Sequence, residues 1–209
     1  MSDNLCKFVK LRKEITYDGV HWFQTDEYKK GGYLEYGCEP FEGKFKAWYS
    51  DGTTFTADCD SSTTLTSATT KPSGYEYSAM TRAEIGDCVT TIGTRAFHSC
   101  YSLTSVTIPD SVTKIGNASI TARVFEGCRN LKYITIPSGV TSIGFWCFSG
   151  CTSLERVTVL ATTPPILGNF AFNNTNNCPI YVPSQSVNAY KNASGWRTHA
   201  NRIQPLGHV

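Results

Sequence analysis

The 209-residue sequence has no apolar run approaching the roughly 20 residues that cross a bilayer as a helix, so membrane insertion is not expected. It also lacks an excess of either charge: 19 basic and 17 acidic residues are scattered along it, and no basic patch marks nucleic acid as a partner. Metal-ligand spacing is missing too. No C-x-x-C occurs and the four histidines, His21, His98, His199 and His208, stand apart, so neither zinc nor any other cofactor is expected. G-x-S-x-G is absent, Gly31-Gly32 is no phosphate loop, and Ser99 beside His98 falls in a coil rather than a strand-to-helix elbow. The carboxylates Asp18, Glu35, Asp51, Asp58 and Asp60 are interleaved with turn residues rather than paired for acid–base work. Residues 1–10 lack the basic, apolar and small-residue order of a secretion signal. No catalytic residue is assigned, and the chain is not read as an enzyme.

What is present is enough apolar side chain, 40% of residues, to bury one or two cores, on a background in which Ser and Thr favour strands and turns over long helices. An internal repeat organises it. The segments starting at Val89, Val112 and Val140 share V-T-x-I-G followed by F-x-x-C-x-x-L-x-x-V/I-T-V/I, with spacings of 23 and 28 residues. The five extra residues of the second unit lie between Gly116 and Phe125. A half unit, Ala83 to Val89, precedes the first, and a degenerate unit follows at Leu167 to Phe172 and Pro179 to Pro183, so the array is expected from about Thr81 to Pro183. A period in this range means one short strand and one turn or coil per unit, stacked as a solenoid. Strand alternation sends Val106 and Ile108 inward, with Ile134/Ile136 and Val157/Val159 repeating the pattern. Stacking predicts internal ladders of Leu103, Leu131 and Leu154 and of Phe97, Phe125 and Phe148. Gly93, Gly116, Gly144 and Gly168 recur at one turn, where positive φ or close backbone approach would demand the missing Cβ.

These residues resemble the BspA-like leucine-rich repeats, whose unit reads much like I-G-x-x-A-F-x-x-C-x-x-L-x-x-V-x-I-P, over about half the chain. The segments Ile180-Tyr181-Val182-Pro183, Tyr190-Lys191 and Ser194-Gly195-Trp196 are similar to the closing segment of such proteins in gut Bacteroidales and their phages. The resemblance implies a surface or secreted binding protein and supplies no catalytic residue. Departures are the insert, Thr175 in place of Cys, and Phe145-Trp146 where small residues are usual.

The fold class expected is mostly β with short helical turns: a leucine-rich-repeat solenoid at residues 81–183, preceded by a small β domain of two hairpin-like units at 1–60. Those units centre on the turns Tyr17-Asp18-Gly19 and Ser50-Asp51-Gly52, and Thr25 to Lys30 suits one helical turn. Residues 61–80 read as a Ser/Thr-rich linker or a lead-in strand, and 184–209 as a cap in which Trp196 plugs the core rather than stacking on a ligand. Nine cysteines cannot all pair within one chain. Cys100, Cys128 and Cys151 form a column whose parallel Cβ vectors disfavour disulfides, so they read as buried small hydrophobes rather than a redox pair, and Cys147 and Cys178 as structural. At most two disulfides are expected, among Cys6, Cys38, Cys59 and Cys88.

A solenoid offers ordered outward columns instead of a catalytic pocket, because matching positions in successive units lie about 5 Å apart. Two columns depart from Ser and Thr. The strand side carries Ser105, Tyr133 and Arg156 with Tyr181 nearby; the turn side carries Arg95, Arg123, Trp146 and Phe170, flanked by His98, Tyr101, Arg129 and Phe145. Tyr, Trp and Arg dominate binding hot spots, and aromatic faces stack on sugar rings. The opposing expectation is that Trp146 and Phe170 fold onto the second domain or the cap. The insert at Asn117 to Ala122 interrupts the turn side at its middle. The function expected is a non-catalytic recognition module, an adhesin or phage receptor-binding type, with a host-cell surface glycan or protein as partner. The alternative is a structural or assembly subunit of a virion or cell-surface complex. Either is extracellular, virion-associated or on a bacterial cell surface.

Overall fold

The computed structural model describes residues 14–17 and 21–24 as backbone strands and residues 41–116 and 122–207 in full. It divides into two units, Met1–Glu42 and Gly43–Val209. In the first, β1 (Glu14–Tyr17) pairs antiparallel with β2 (His21–Gln24), Glu14 opposite Gln24 and Tyr17 opposite His21. The expected turn at Thr25 to Lys30, most of the insert, and Cys6 and Cys38 lie outside the described residues.

The second unit is a stack of coils. Its strands are β3 (Phe45–Tyr49), β4 (Thr54–Ala57), β5 (Thr64–Leu65), β6 (Met80–Ile85), β7 (Thr91–Ile92), β8 (Ser105–Thr107), β9 (Lys114–Ile115), β10 (Tyr133–Ile136), β11 (Ser142–Ile143), β12 (Arg156–Val159), β13 (Ile166–Leu167), β14 (Ile180–Val182) and β15 (Ile203–Pro205). One wall is the parallel ladder β5-β7-β9-β11-β13; the other comprises β4-β3-β6-β8 and β10-β12-β14-β15. Both arise because each unit carries two short apolar-alternating segments, each too short to fold alone and each supplied with a ladder partner by the next coil. Gly93, Gly116, Gly144 and Gly168 each donate N–H to the coil before, at 2.7–2.8 Å. Only Gly116 of these has positive φ (77°); at Gly168 a Cβ would stand 2.4 Å from the Phe145 nitrogen, so close approach is the reason there.

Packing is dominated by one row of rings. Phe97 stacks on Phe125 at 5.0 Å, Phe125 on Phe148 at 5.3 Å and Phe148 on Phe172 at 5.4 Å. Phe45 meets Phe97 at 5.8 Å at one end and Trp196 meets Phe172 at 6.1 Å at the other. Leu103, Leu131 and Leu154 are fully buried beside this row, as expected. So are Cys100, Cys128 and Cys151, all unpaired; Cys128 Sγ donates to Phe97 O (3.1 Å) and Cys151 Sγ to Phe125 O (3.2 Å). Burial pushes the Cys100 and Cys151 thiols up to about 12, so they stay protonated and unreactive. Thr175, standing where Cys was expected, donates instead to Phe172 O within its own coil (2.9 Å).

Both ends extend further than the repeat pattern indicates. Residues 61–80, read as a linker or lead-in strand, hold β5, a helical turn α1 (Ser67–Thr70) and a 3-10 turn, with Thr70 buried and its hydroxyl donating to Ala96 O. This segment is the first coil. The β3–β4 hairpin, placed by sequence in a domain ending at 60, joins the same sheet through antiparallel pairing of β3 with β6 and buries Phe45, Ala47 and Tyr49. Its tail is tied to the coil after β6 by the Cys59–Cys88 disulfide, within the first ninety residues as expected. At the other end α2 (Val187–Asn192) and a 3-10 turn (Trp196–Arg202) cover the stack. Trp196 is fully buried and donates Nε1–H to Pro165 O (2.7 Å), which fits the core-plug reading, while β15 adds a strand that sequence did not predict. Among the described residues no helix is long and apolar enough to cross a membrane.

The Phe125 ring sits between two others with no solvent exposure, so Phe125→Ala removes two stacked contacts at once. It is expected to lower the unfolding free energy by about 3–5 kcal/mol in urea titrations. A loss under about 1 kcal/mol would show that the ring row is not what holds the coils together.

Candidate functional site

The residue two before each ring of the row faces outward, and four of these have left-handed backbone: Arg95 (φ 56°), Arg123 (43°), Trp146 (57°) and Phe170 (60°). For an L-residue that conformation costs about 1–2 kcal/mol, and here it falls not on glycine but on large side chains. The strain is held by ladder bonds into the following coil: Arg95 N–H to Ala122 O (2.8 Å), Arg123 N–H to Phe145 O (3.0 Å) and Trp146 N–H to Asn169 O (3.2 Å). In return the side chains leave the coils at matching positions, and three of the four stack. The Arg123 guanidinium lies 5.4 Å from the Trp146 ring centroid, and Trp146 stacks on Phe170 at 4.6 Å.

Trp146 is half-buried in this stack, whereas Phe170 is 57% exposed. Phe145 beside them is half-buried. Arg123 is oriented from below by Glu126, which accepts from Nη1 at 2.7 and 2.8 Å, and His98 Nε2 lies 3.3 Å from the same carboxylate. Lys71 donates to His98 O (2.6 Å) and covers the Tyr77 ring at 4.5 Å. Arg129 covers Tyr101 at 5.1 Å; both are exposed. Arg95 is exposed at the start of the column.

Tyr133 and Arg156 form a second group, on the outer face of the strand ladder. They stand opposite one another in register, Tyr133 OH donating to Glu155 (2.7 Å) and Arg156 covering the Tyr181 ring at 4.4 Å. Tyr181 itself pairs with Thr158, two residues along the strand from the Tyr133–Arg156 row. The same face continues onto β3 and β6, where Trp48 is opposite Arg82, whose guanidinium lies 4.1 Å from its ring, with Lys46 Nζ at 4.8 Å from the same ring. Sequence reasoning missed Trp48, Lys46 and Arg82 because the hairpin was assigned to a separate domain. Their alternation with buried Phe45, Ala47 and Tyr49 was the available signal. Glu126 was missed as well, although it stands three residues after Arg123.

Ser99 Oγ lies 3.0 Å from His98 Nδ1, so Ser99, His98 and Glu126 line up as a hydroxyl, an imidazole and a carboxylate. The amides of this turn are already engaged: Ser99 N–H on Glu126 O, Cys100 N–H on Phe97 O and Tyr101 N–H on Ser99 O. No amide of these three is left to receive an oxyanion. Chemically, the turn side presents flat aromatic faces and guanidinium groups, that of Arg123 fixed by the Glu126 carboxylate and that of Arg129 lying over the Tyr101 ring.

A family model described as "BspA type Leucine rich repeat region" matches residues 68–193 in six copies. Among solved structures, a leucine rich cell surface protein from Faecalibacterium prausnitzii A2-165 is 27% identical, over 78% of this chain and 41% of that one, with a TM-score of 0.36. A leucine-rich repeat protein from Bacteroides ovatus ATCC 8483 is 22% identical, over 66% of this chain and 50% of that one, with a TM-score of 0.31. The chain thus spans half or less of the length of both. No curated protein matches significantly.

Two outcomes follow from the geometry. Arg95→Gly relieves the left-handed strain and, net of the backbone entropy of glycine, should leave stability unchanged or raise it by up to about 1 kcal/mol. Arg95→Val should lower it by about 1–3 kcal/mol in the same denaturation assay, since a β-branched residue tolerates that backbone worst. Burial holds His98 and His199 below the usual histidine value of 6.5, against the pull of Glu126 in the case of His98. Each therefore binds fewer protons folded than unfolded, and its contribution is intact above pH 6.5 and lost as pH falls from there toward the folded value. Tm measured from pH 7.5 down to 5.5 should fall, and fall less in His98→Gln.

Proposed function

The chain belongs to the BspA-type leucine-rich repeat family, and from that premise we propose that it is a non-catalytic recognition module. It binds a glycan or protein on a host-cell surface, in the manner of an adhesin or a phage receptor-binding protein. The observation that carries this is the Arg123–Trp146–Phe170 stack. Three large planar side chains are held side by side on strained backbone, Trp146 and Phe170 in mutual contact, with the outermost ring largely in solvent. A purely structural turn has no use for that strain; glycine or asparagine would serve it at lower cost. Pre-ordered aromatic and guanidinium groups lose little entropy on binding and are the types that dominate hot spots.

The Cys59–Cys88 disulfide supports an oxidising, extracellular setting, on a bacterial surface or a virion. The five buried thiols are compatible with it, because oxidants reach a thiolate and burial keeps these groups protonated. One of the similar structures is described as a cell surface protein, which agrees with this placement.

Binding of the fluorescently labelled full chain to host cells, read by flow cytometry, tests the assignment. Trp146→Asn keeps a residue that tolerates left-handed backbone while removing the ring, and Arg123→Gln removes the guanidinium. Each is expected to weaken binding at least about tenfold at unchanged Tm. Wild-type binding in both variants would remove the turn side as the site.

A further inference from the structure

The stack on the turn side has an open end, and the coil that forms it differs in chemistry from those before it. Continuing the ring row past Phe172 leads to Trp196, so the position two residues earlier, which should come next after Phe170 in the outward column, is Ser194. Ser194 is small and exposed, too short to cover a phenyl face. Phe170 is accordingly 57% exposed and Ile166, on the edge strand of the same coil, 77% exposed. The same coil carries Asn169, Asn174, Asn176 and Asn177, all exposed, with Asn174 (φ 52°) and Asn177 (46°) on left-handed backbone and the Asn173 N–H closing the turn on Phe170 O at 3.0 Å.

No Asp, Glu, Lys, Arg or His occurs between Arg156 and Lys191. Two cap residues reach this coil: Arg202 donates to Cys178 O (2.8 Å) and Thr175 Oγ1 (3.2 Å) and covers the inner ring Phe172, so its charge is directed into the fold, and His199 stands edge-on to Phe172 at 5.6 Å, where burial favours its neutral form. The earlier coils are the reverse: Lys71, His98, Arg123, Glu126 and Arg129 surround the start of the column.

We propose that the last coil is a subsite for a neutral saccharide, with Phe170 as the platform under one sugar ring and the asparagine amides as partners for its hydroxyls. This rests on the reading of the turn side as a recognition surface and names the ligand class at its open end. A pyranose offers an apolar C–H face matched to an exposed ring, and hydroxyls that each donate and accept, as each amide does. An anionic sugar or an acidic peptide would leave its charge without a counter-charge on this coil, which makes it the poorer match.

Affinity electrophoresis of the full chain tests this in gels containing dextran, mixed-linkage β-glucan, mannan or xylan. Parallel gels contain the acidic polymers alginate, polygalacturonate or hyaluronate. At least one neutral polymer is expected to retard the wild type, with retardation unchanged by about 0.5 M NaCl, since no ion pair contributes. Phe170→Gly, which suits the backbone, should weaken that retardation about tenfold, and Phe170→Trp should keep it. Absence of retardation in every neutral gel overturns the proposal, as does retardation that Phe170→Gly leaves intact. Retardation confined to acidic gels and abolished by salt also overturns it, and moves the ligand to the arginines. If cells bind the wild type and Phe170→Gly equally while Trp146→Asn fails, the subsite is wrong and the recognition module stands. If neither cells nor gels hold the wild type, both readings fall.

Discussion

Ring-on-ring stacking at 5.0–5.4 Å along Phe97, Phe125, Phe148 and Phe172 sets the geometry from which the rest of this protein follows. That distance is close to the spacing of strands in a ladder, so rings, backbone bonds and the two strand walls can all repeat at one rise. A coil that slipped by one residue would lose its ring, its leucine and its cysteine from the interior together. The row needs closing at both ends, because an exposed phenyl face and an unpaired strand edge are costly and prone to association. Phe45 from the hairpin and Trp196 from the cap are the closures, one borrowed from antiparallel structure and one from a short helical segment.

The outward column is a consequence of the same register. Once every coil must turn at the same point before its ring, the residue two positions ahead is driven into the left-handed region, and the coils differ only in what side chain they place there. Arg95, Arg123, Trp146 and Phe170 are therefore parallel by construction rather than by mutual attraction, and the stacking energy among them is an addition to a direction already imposed. A fixed backbone direction lowers the entropy these side chains lose on stacking. It also separates the column from the Tyr133–Arg156 group, whose direction comes from strand alternation and whose partners come from cross-strand register.

Much of the solenoid was legible in the amino-acid sequence, because a repeat states its inward positions several times. Phe125, Leu131 and Cys128 are each confirmed by equivalents in neighbouring units, and the structure buries all three. Trp196 was legible as a plug since an open end has to be covered. What was not legible occurs once. The Ser/Thr-rich coil with Leu65 and Thr70 buried has no ring and no cysteine to announce it, so composition alone suggested a linker. The destination of the β3–β4 hairpin was hidden because pairing with β6 depends on a long-range register that local alternation does not specify. The candidate side chains Trp146 and Phe170 were found as departures from Ser and Thr, but the left-handed backbone under them was not, since glycine two residues earlier drew the argument about φ to itself. Glu126, a charged residue in a turn, carried no signal until Arg123 and His98 were seen to share it.

A stack of coils is nearly one-dimensional, and that bears on how a surface like this one can change. Each unit contacts only its neighbours, so outward substitutions in one coil are felt energetically by two others at most. The turn side can thus carry an ionic cluster of Lys71, His98, Arg123 and Glu126 at one end and a charge-free coil with Phe170 and four exposed asparagines at the other. Trp146 stands at the junction, in contact with the guanidinium below it and the phenyl ring above it. An extended ligand lying along the column would meet charge first and flat neutral surface last, in an order set by the succession of coils. The affinity of such a surface would be spread along the column, concentrated at the coils that carry the large planar side chains, rather than be the property of a single pocket. The fold supplies the direction and spacing of those side chains, and the outward residue of each coil supplies the chemistry.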